Sequence, residues 1–223
     1  MSAPPKTTQP VGAPRRIERL LDGYARGALD PYSHALVEAH LILSPENRDY
    51  VRNIEATIGE ELEAVPSTRP QRAARDQVLA AIYAGGWYGR PRPPKIDPDL
   101  PEPLARLVGA PLSDLKWRFA APGAREHRVF EGGGISASFI QVKPSRRLPQ
   151  HTHCGIEATL VIKGAFSDHL GRYRRGDVAV ADPSVDHSPI ADPDGPCVCF
   201  VVAEGPPRLT GPLGRLLQRV FGG

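Results

Sequence analysis

The sequence predicts an α+β chain of two domains, a small helical bundle followed by an antiparallel β-barrel. Three features carry this reading. Apolar residues recur at helical spacing through the first part of the chain. Residues 90 to 103, RPRPPKIDPDLPEP, hold six prolines and interrupt that pattern. Beyond them come short apolar runs separated by glycine turns, as in a sandwich or barrel. The expected divisions are a disordered tail over 1–14, a helical domain over 15–89, a linker over 90–103, and a barrel with a terminal helix over 104–223.

The opening MSAPPKTTQPVGAPRR lacks the apolar stretch of a secretory signal and reads as a tail. Arg16 to Arg26 then carries Ile17, Leu20, Leu21 and Tyr24 on one helical stripe, and Gly27 ends it. Pro31 opens a second helix, with Leu36, Val37, His40 and Leu41 on one face, through about Leu43. Ser44-Pro45 predicts a third start, the serine capping free amides and the proline preset for a first turn. Tyr50, Val51, Ile54, Ile58, Leu62 and Val65 follow at helical spacing. A fourth helix, Arg69 to Ala84, carries Val78, Leu79 and Ile82. A domain this small either closes as a four-helix bundle or leaves apolar surface for a partner, and periodicity is equally consistent with both.

The prolines of 90–103 exclude a regular helix or central strand there and predict a semi-rigid spacer. After it, KWRFA, REHRVFE, ISASFIQVKP, ATLVIKGAFSD, GDVAVAD and CVCFVVAE are candidate strands. Gly132-Gly133-Gly134, Gly171 and Asp194-Gly195 mark turns. Leu213 to Phe221 predicts a terminal amphipathic helix.

Composition narrows the function classes. A net charge of +3 gives no case for direct nucleic-acid binding. No apolar run approaches the roughly 18 residues of a membrane span, so a cytoplasmic protein is expected. Cys154, Cys197 and Cys199 read as reduced thiols. Cys197 and Cys199 belong to a core strand, and Cys154, lying between candidate ligands, is either a plain thiol or a metal-proximal one.

The chemistry is concentrated in PQHTHCGIEATLVIKGAF. His151 and His153 alternate along an extended segment, so their rings share a face about 7 Å apart. Glu157 adds an oxygen ligand, and His187 closes the set from a neighbouring strand. Three imidazoles and a carboxylate suit one divalent transition metal, zinc first, with iron or manganese next. Gly164 and Gly176 are the turn residues around these ligands. Asp168, His169 and Asp186 lie nearby and read as solvated turn groups.

His151-x-His153, Glu157 and Gly164 resemble the first motif of the cupin barrels, and Gly176 with His187 resembles the second. The usual proline and glycine positions of that second motif hold Asp182 and Ser184, with Pro183 one place later. The resemblance implies a barrel with the metal inside.

The first segment, LLDGYARGALDPYSHALVEAHLILSPENRDYV, is similar to the anti-sigma domain of ChrR-type, cupin-containing regulators. The second is similar through Gly164-Ala165-Phe166, Asp186-His187, Cys197-Val198-Cys199 and Leu216-Leu217-Gln218-Arg219. The resemblance implies a negative regulator that holds an extracytoplasmic-function sigma factor through its helices and senses a stress signal at the cupin metal, rather than an enzyme. Zinc-binding anti-sigma domains carry His-x3-Cys-x2-Cys, where this chain has His40, Ser44 and Asn47, and Arg15 and Arg16 stand where the upstream histidine is expected. Serine and asparagine are poor zinc ligands, so no zinc is expected in the helical domain, with a Ser44 helix cap defining that corner instead. Two alternatives remain from the residues: a cupin metalloenzyme of dioxygenase or isomerase type, and a cupin sensor whose helices no longer bind a sigma factor.

Overall fold

The computed structural model describes residues 16–67, 71–84 and 97–211. The expected tail, the terminal helix and linker residues 90–96 lie outside the described residues.

Four helices come first: α1 (Arg16–Ala25), α2 (Pro31–Leu43), α3 (Arg48–Glu63) and α4 (Arg72–Ala84). Asp30 caps α2, accepting the amides of Tyr32 and Ser33, with Pro31 at the first position. Ser44 does not cap α3 as expected, because its side chain makes no cap hydrogen bond. A 3-10 turn, Pro45–Asn47, intervenes instead. The free carbonyls ending α2 are satisfied from the other side, by the Arg48 guanidinium on the oxygens of Leu41 and Ile42.

One helix was not expected. α5 (Glu102–Val108) begins inside the proline-rich stretch. Pro101 and Pro103 fall at its entry and first turn, where a missing amide costs nothing, and Gly109 ends it in the left-handed conformation.

The strands are β1 (Arg118–Ala121), β2 (Ala124–Gly132), β3 (Ile135–Val142), β4 (His151–Thr152), β5 (Glu157–Lys163), β6 (Ala165–Ser167), β7 (Arg172–Arg174), β8 (Val178–Ala181), β9 (Ile190–Ala191), β10 (Cys197–Glu204) and β11 (Arg208–Leu209). All six candidate strands are present; the additional ones are two or three residues long. A six-stranded antiparallel sheet runs β1-β2-β3-β10-β5-β8, beside a three-stranded β7-β6-β9 and a two-stranded β11-β4.

The large sheet lies between two apolar layers. On its inner face Val142, Val161, Cys197, Cys199 and Val201 meet Phe166 and Ala191 of the small sheet. On its outer face Phe139, Leu160, Ile162, Phe200 and Val202 share one core with Leu21, Leu36, Val37 and Leu104 of the helices. β10 alternates between these layers, which is why CVCFVVA is apolar without a break. The thiols of Cys197 and Cys199 are buried 3.6 Å apart on its inner side, whereas Cys154 is exposed.

The helical part is not a closed bundle. Along α4, Leu79 is half-buried and every other residue from 73 to 84 is exposed. Leu62, Val65, Val78, Ile82 and Tyr83 are 58% to 80% exposed, so the apolar stripes of α3 and α4 end in solvent.

Candidate metal centre

β4 and the bridge opposite it assemble the site. His151 and His187 exchange both backbone hydrogen bonds, each N–H donating to the other's carbonyl at 2.9 Å. Their rings therefore lie side by side, with centroids 4.7 Å apart. His153 follows β4 and presents its ring 5.1 Å from His151 and 5.2 Å from His187. Glu157 opens β5 and reaches the His153 ring at 3.3 Å. All four expected residues thus meet, one ligand atom from each lying within 4.8 Å of the others.

The hydrogen bonds fix which nitrogens face inward. His151 Nδ1 donates to the Pro149 carbonyl at 2.8 Å, and His187 Nδ1 to the Asp168 carboxylate at 2.8 Å. His153 Nδ1 faces Glu157 Oε2. Each Nδ1 is committed as a donor, so each Nε2 carries a bare lone pair. Two of these, on His153 and His187, stand 3.2 Å apart. Their repulsion at that range is relieved by a shared proton or by a metal cation between them. Two nitrogens sharing a tetrahedral zinc would be separated by about 3.3 Å. The donor set therefore fits a divalent ion.

Electrostatics point the same way. Burial opposes charge on Glu157, but the His153 hydrogen bond and the three imidazoles outweigh it and hold its carboxyl below the usual range. Burial pushes the His151 imidazole down, only partly offset by the Pro149 carbonyl. An anionic carboxylate beside a neutral imidazole is the state a metal requires.

Glycines shape the turns around the ligands. Gly164 has φ +73°, and a Cβ there would lie 2.6 Å from the Pro196 carbonyl oxygen. Gly176 has φ +91°, and a Cβ there would lie 3.2 Å from Leu43 Cβ of α2. Asp182 and Ser184 also form a turn: Asp182 Oδ1 accepts the Ser184 amide at 2.8 Å, supplying the geometry that proline and glycine usually give.

One site residue escaped the sequence reading. Asp168, expected to be a solvated turn group, has a side chain only 2% exposed. Nothing local in FSDHLG marks it, because its partner His187 is distant in sequence. His169 and Asp186 are exposed as expected, Asp186 accepting from Thr210.

Comparison with known proteins identifies the chain. The family model described as the ChrR cupin-like domain matches residues 107–206. Over 205 residues the chain is 32% identical to Anti-sigma-E factor ChrR of Cereibacter sphaeroides, covering 92% of this chain and 95% of that protein. The chain belongs to the ChrR family of anti-sigma factors. Its fold matches a chain from the crystal structure of Rhodobacter sphaeroides SigE in complex with the anti-sigma ChrR, with TM-score 0.69 and 30% identity, covering 83% of this chain and 96% of that one. Within this ChrR-family chain, the corner resembling a second zinc site is closed by hydrogen bonds. His40 is buried, its Nδ1 donating to the Gly176 carbonyl at 2.6 Å and its Nε2 facing Asn47 Nδ2 at 2.9 Å.

Proposed function

We propose that this chain sequesters an extracytoplasmic-function sigma factor through its helices, and that its barrel senses a stress signal through a metal held by His151, His153, Glu157 and His187. The observation that carries the reading is the exposed apolar surface of α3 and α4, on a chain similar along nearly its whole length to an anti-sigma factor. Leu62, Val65, Val78, Ile82 and Tyr83 expose apolar area that water does not favour and a sigma factor would bury. Zinc suits the three nitrogens and one oxygen best, with iron or manganese next. The helical corner holds no second zinc, because both His40 ring nitrogens already have partners there. Among the described residues no helix is long and apolar enough to cross a membrane, in keeping with work in the cytoplasm.

When bound, the ion supplies a Lewis-acidic centre inside the barrel. The protein's own residues join that centre to the helices. Glu157 of the site opens β5, and the outer face of β5 and β10 shares a core with α1 and α2. His40 ties α2 to the turn before β8. A change in the barrel thus reaches α1 and α2, and through the packing of α1 on α3 the sigma-binding surface, shifting the bound population by its differential affinity for the two arrangements. An enzyme reading leaves this helical connection without a role.

The test is recovery of the full chain from its native host, with identification of co-purifying proteins and metal analysis of the same sample. A sigma factor and about one metal equivalent per chain are expected. Recovery without a sigma factor, or turnover of a small carbonyl or phenolic substrate, would overturn the reading.

A further inference from the structure

Asp168 is bound on both carboxylate oxygens. Oδ1 accepts the amides of Leu170 at 2.8 Å and Gly171 at 3.2 Å, closing the turn after β6. Its own N–H donates to the Gly171 carbonyl at 2.9 Å. Oδ2 accepts His187 Nδ1–H at 2.8 Å. The carboxylate is therefore fixed by backbone on one side and fixes an imidazole on the other. His151 leans on a neutral carbonyl, and His153 on Glu157, itself one of the four candidate ligands. Asp168 thus adds an anionic group that is not a ligand.

That addition matters for charge. As metal ligands, three imidazoles, neutral when ligating, and the Glu157 carboxylate would contribute one negative charge. A buried divalent ion would leave one positive charge uncompensated, which is costly away from water. Asp168 supplies the second negative charge, one imidazole away. A carboxylate behind a ligating histidine also makes the ring a stronger base and locks its tautomer.

We propose that Asp168 is a positioning residue of the metal centre, holding His187 with Nε2 inward and completing the charge balance for a divalent ion. This rests on the four-ligand reading above. The test is zinc affinity of the full chain, by competition with a chromophoric chelator, for Asp168→Asn and Asp168→Ala. The asparagine keeps an acceptor for His187 but no charge, and the alanine keeps neither. About 10- to 100-fold weaker zinc binding is expected for alanine, with asparagine between it and the unsubstituted chain. The d–d spectrum of the cobalt(II)-loaded protein should change in both. Metal-free unfolding midpoints separate this from a turn-forming role. Equal zinc affinity in all three proteins, or loss of metal-free stability as large as the loss of metal binding in both variants, would overturn the proposal. A different result, equal zinc content in the unsubstituted chain and His153→Ala, would refute the four-ligand reading itself.

Discussion

Asn47 Nδ2 faces His40 Nε2 at 2.9 Å, where the resemblance to zinc-binding anti-sigma domains places two metal ligands. The other ring nitrogen of His40 reaches across to the Gly176 carbonyl of the barrel. A corner that a metal could tie within the helices is tied here by hydrogen bonds that also grip the sheet.

Replacing His40 therefore has a double cost. His40→Ala leaves a cavity and strips the Gly176 carbonyl and the Asn47 amide of their partner. A loss of about 2–4 kcal/mol is expected in urea unfolding. Metal content should stay unchanged, since the barrel ligands are untouched. A loss of metal on His40→Ala would mean that the helical corner is itself a metal site.

Stability should also depend on pH through this residue. Burial lowers the His40 pKa, outweighing the Gly176 hydrogen bond and the charges of Asp177 and Glu46. Below about pH 6.5 the unfolded imidazole takes a proton that the folded one refuses. This contribution to stability is complete above that pH and is lost as pH falls below it, by at most about 1.4 kcal/mol per pH unit. In urea titrations of metal-free protein, His40→Gln should flatten the dependence below about pH 6.5. An unchanged slope would place the pH sensitivity elsewhere.

The two motif glycines differ in what their replacement should do. At Gly164 a Cβ meets backbone, at Gly176 it meets the Leu43 side chain, and both have positive φ. Gly164→Ala should cost the more, with each losing about 1–3 kcal/mol or above. Gly176→Ala should in addition loosen the contact of α2 with the barrel, visible as faster amide exchange near Leu43.

Metal should stabilise the chain. Ligands must be deprotonated to bind, so zinc should raise the unfolding temperature at neutral pH and lose that effect in mild acid. His153→Ala should abolish the zinc-dependent rise in thermal scans while keeping the fold of the metal-free chain. Persistence of the full rise in that variant would exclude the barrel site.

The sequence makes most of the fold readable because its signals are local. The stripes of α1 and α2, the proline break and the apolar run of β10 each report their own element. His151, His153 and Glu157 are close in sequence, and His187 is carried by its motif spacing. What escapes is what depends on tertiary contact. Asp168 looks like any turn aspartate until His187 is placed against it. Ser44-Pro45 looks like a helix cap, but a 3-10 turn over Pro45–Asn47 comes before α3 and the Ser44 side chain makes no cap hydrogen bond. α5 hides among prolines that suit a first turn as well as a spacer. The shared core of helices and sheet is invisible to periodicity, which shows that a face is apolar but not what covers it.

The central claim is that the exposed face of α3 and α4 holds a sigma factor. The direct measurement is the affinity of the full chain for an extracytoplasmic-function sigma factor of its own host, beside the double variant Leu62→Glu, Ile82→Glu. Both side chains are already exposed, so the variant should fold normally. Tight binding by the unsubstituted chain and about 100-fold or weaker binding by the variant are expected, as for two buried apolar contacts. No binding by the unsubstituted chain, or equal binding by both, would contradict the account.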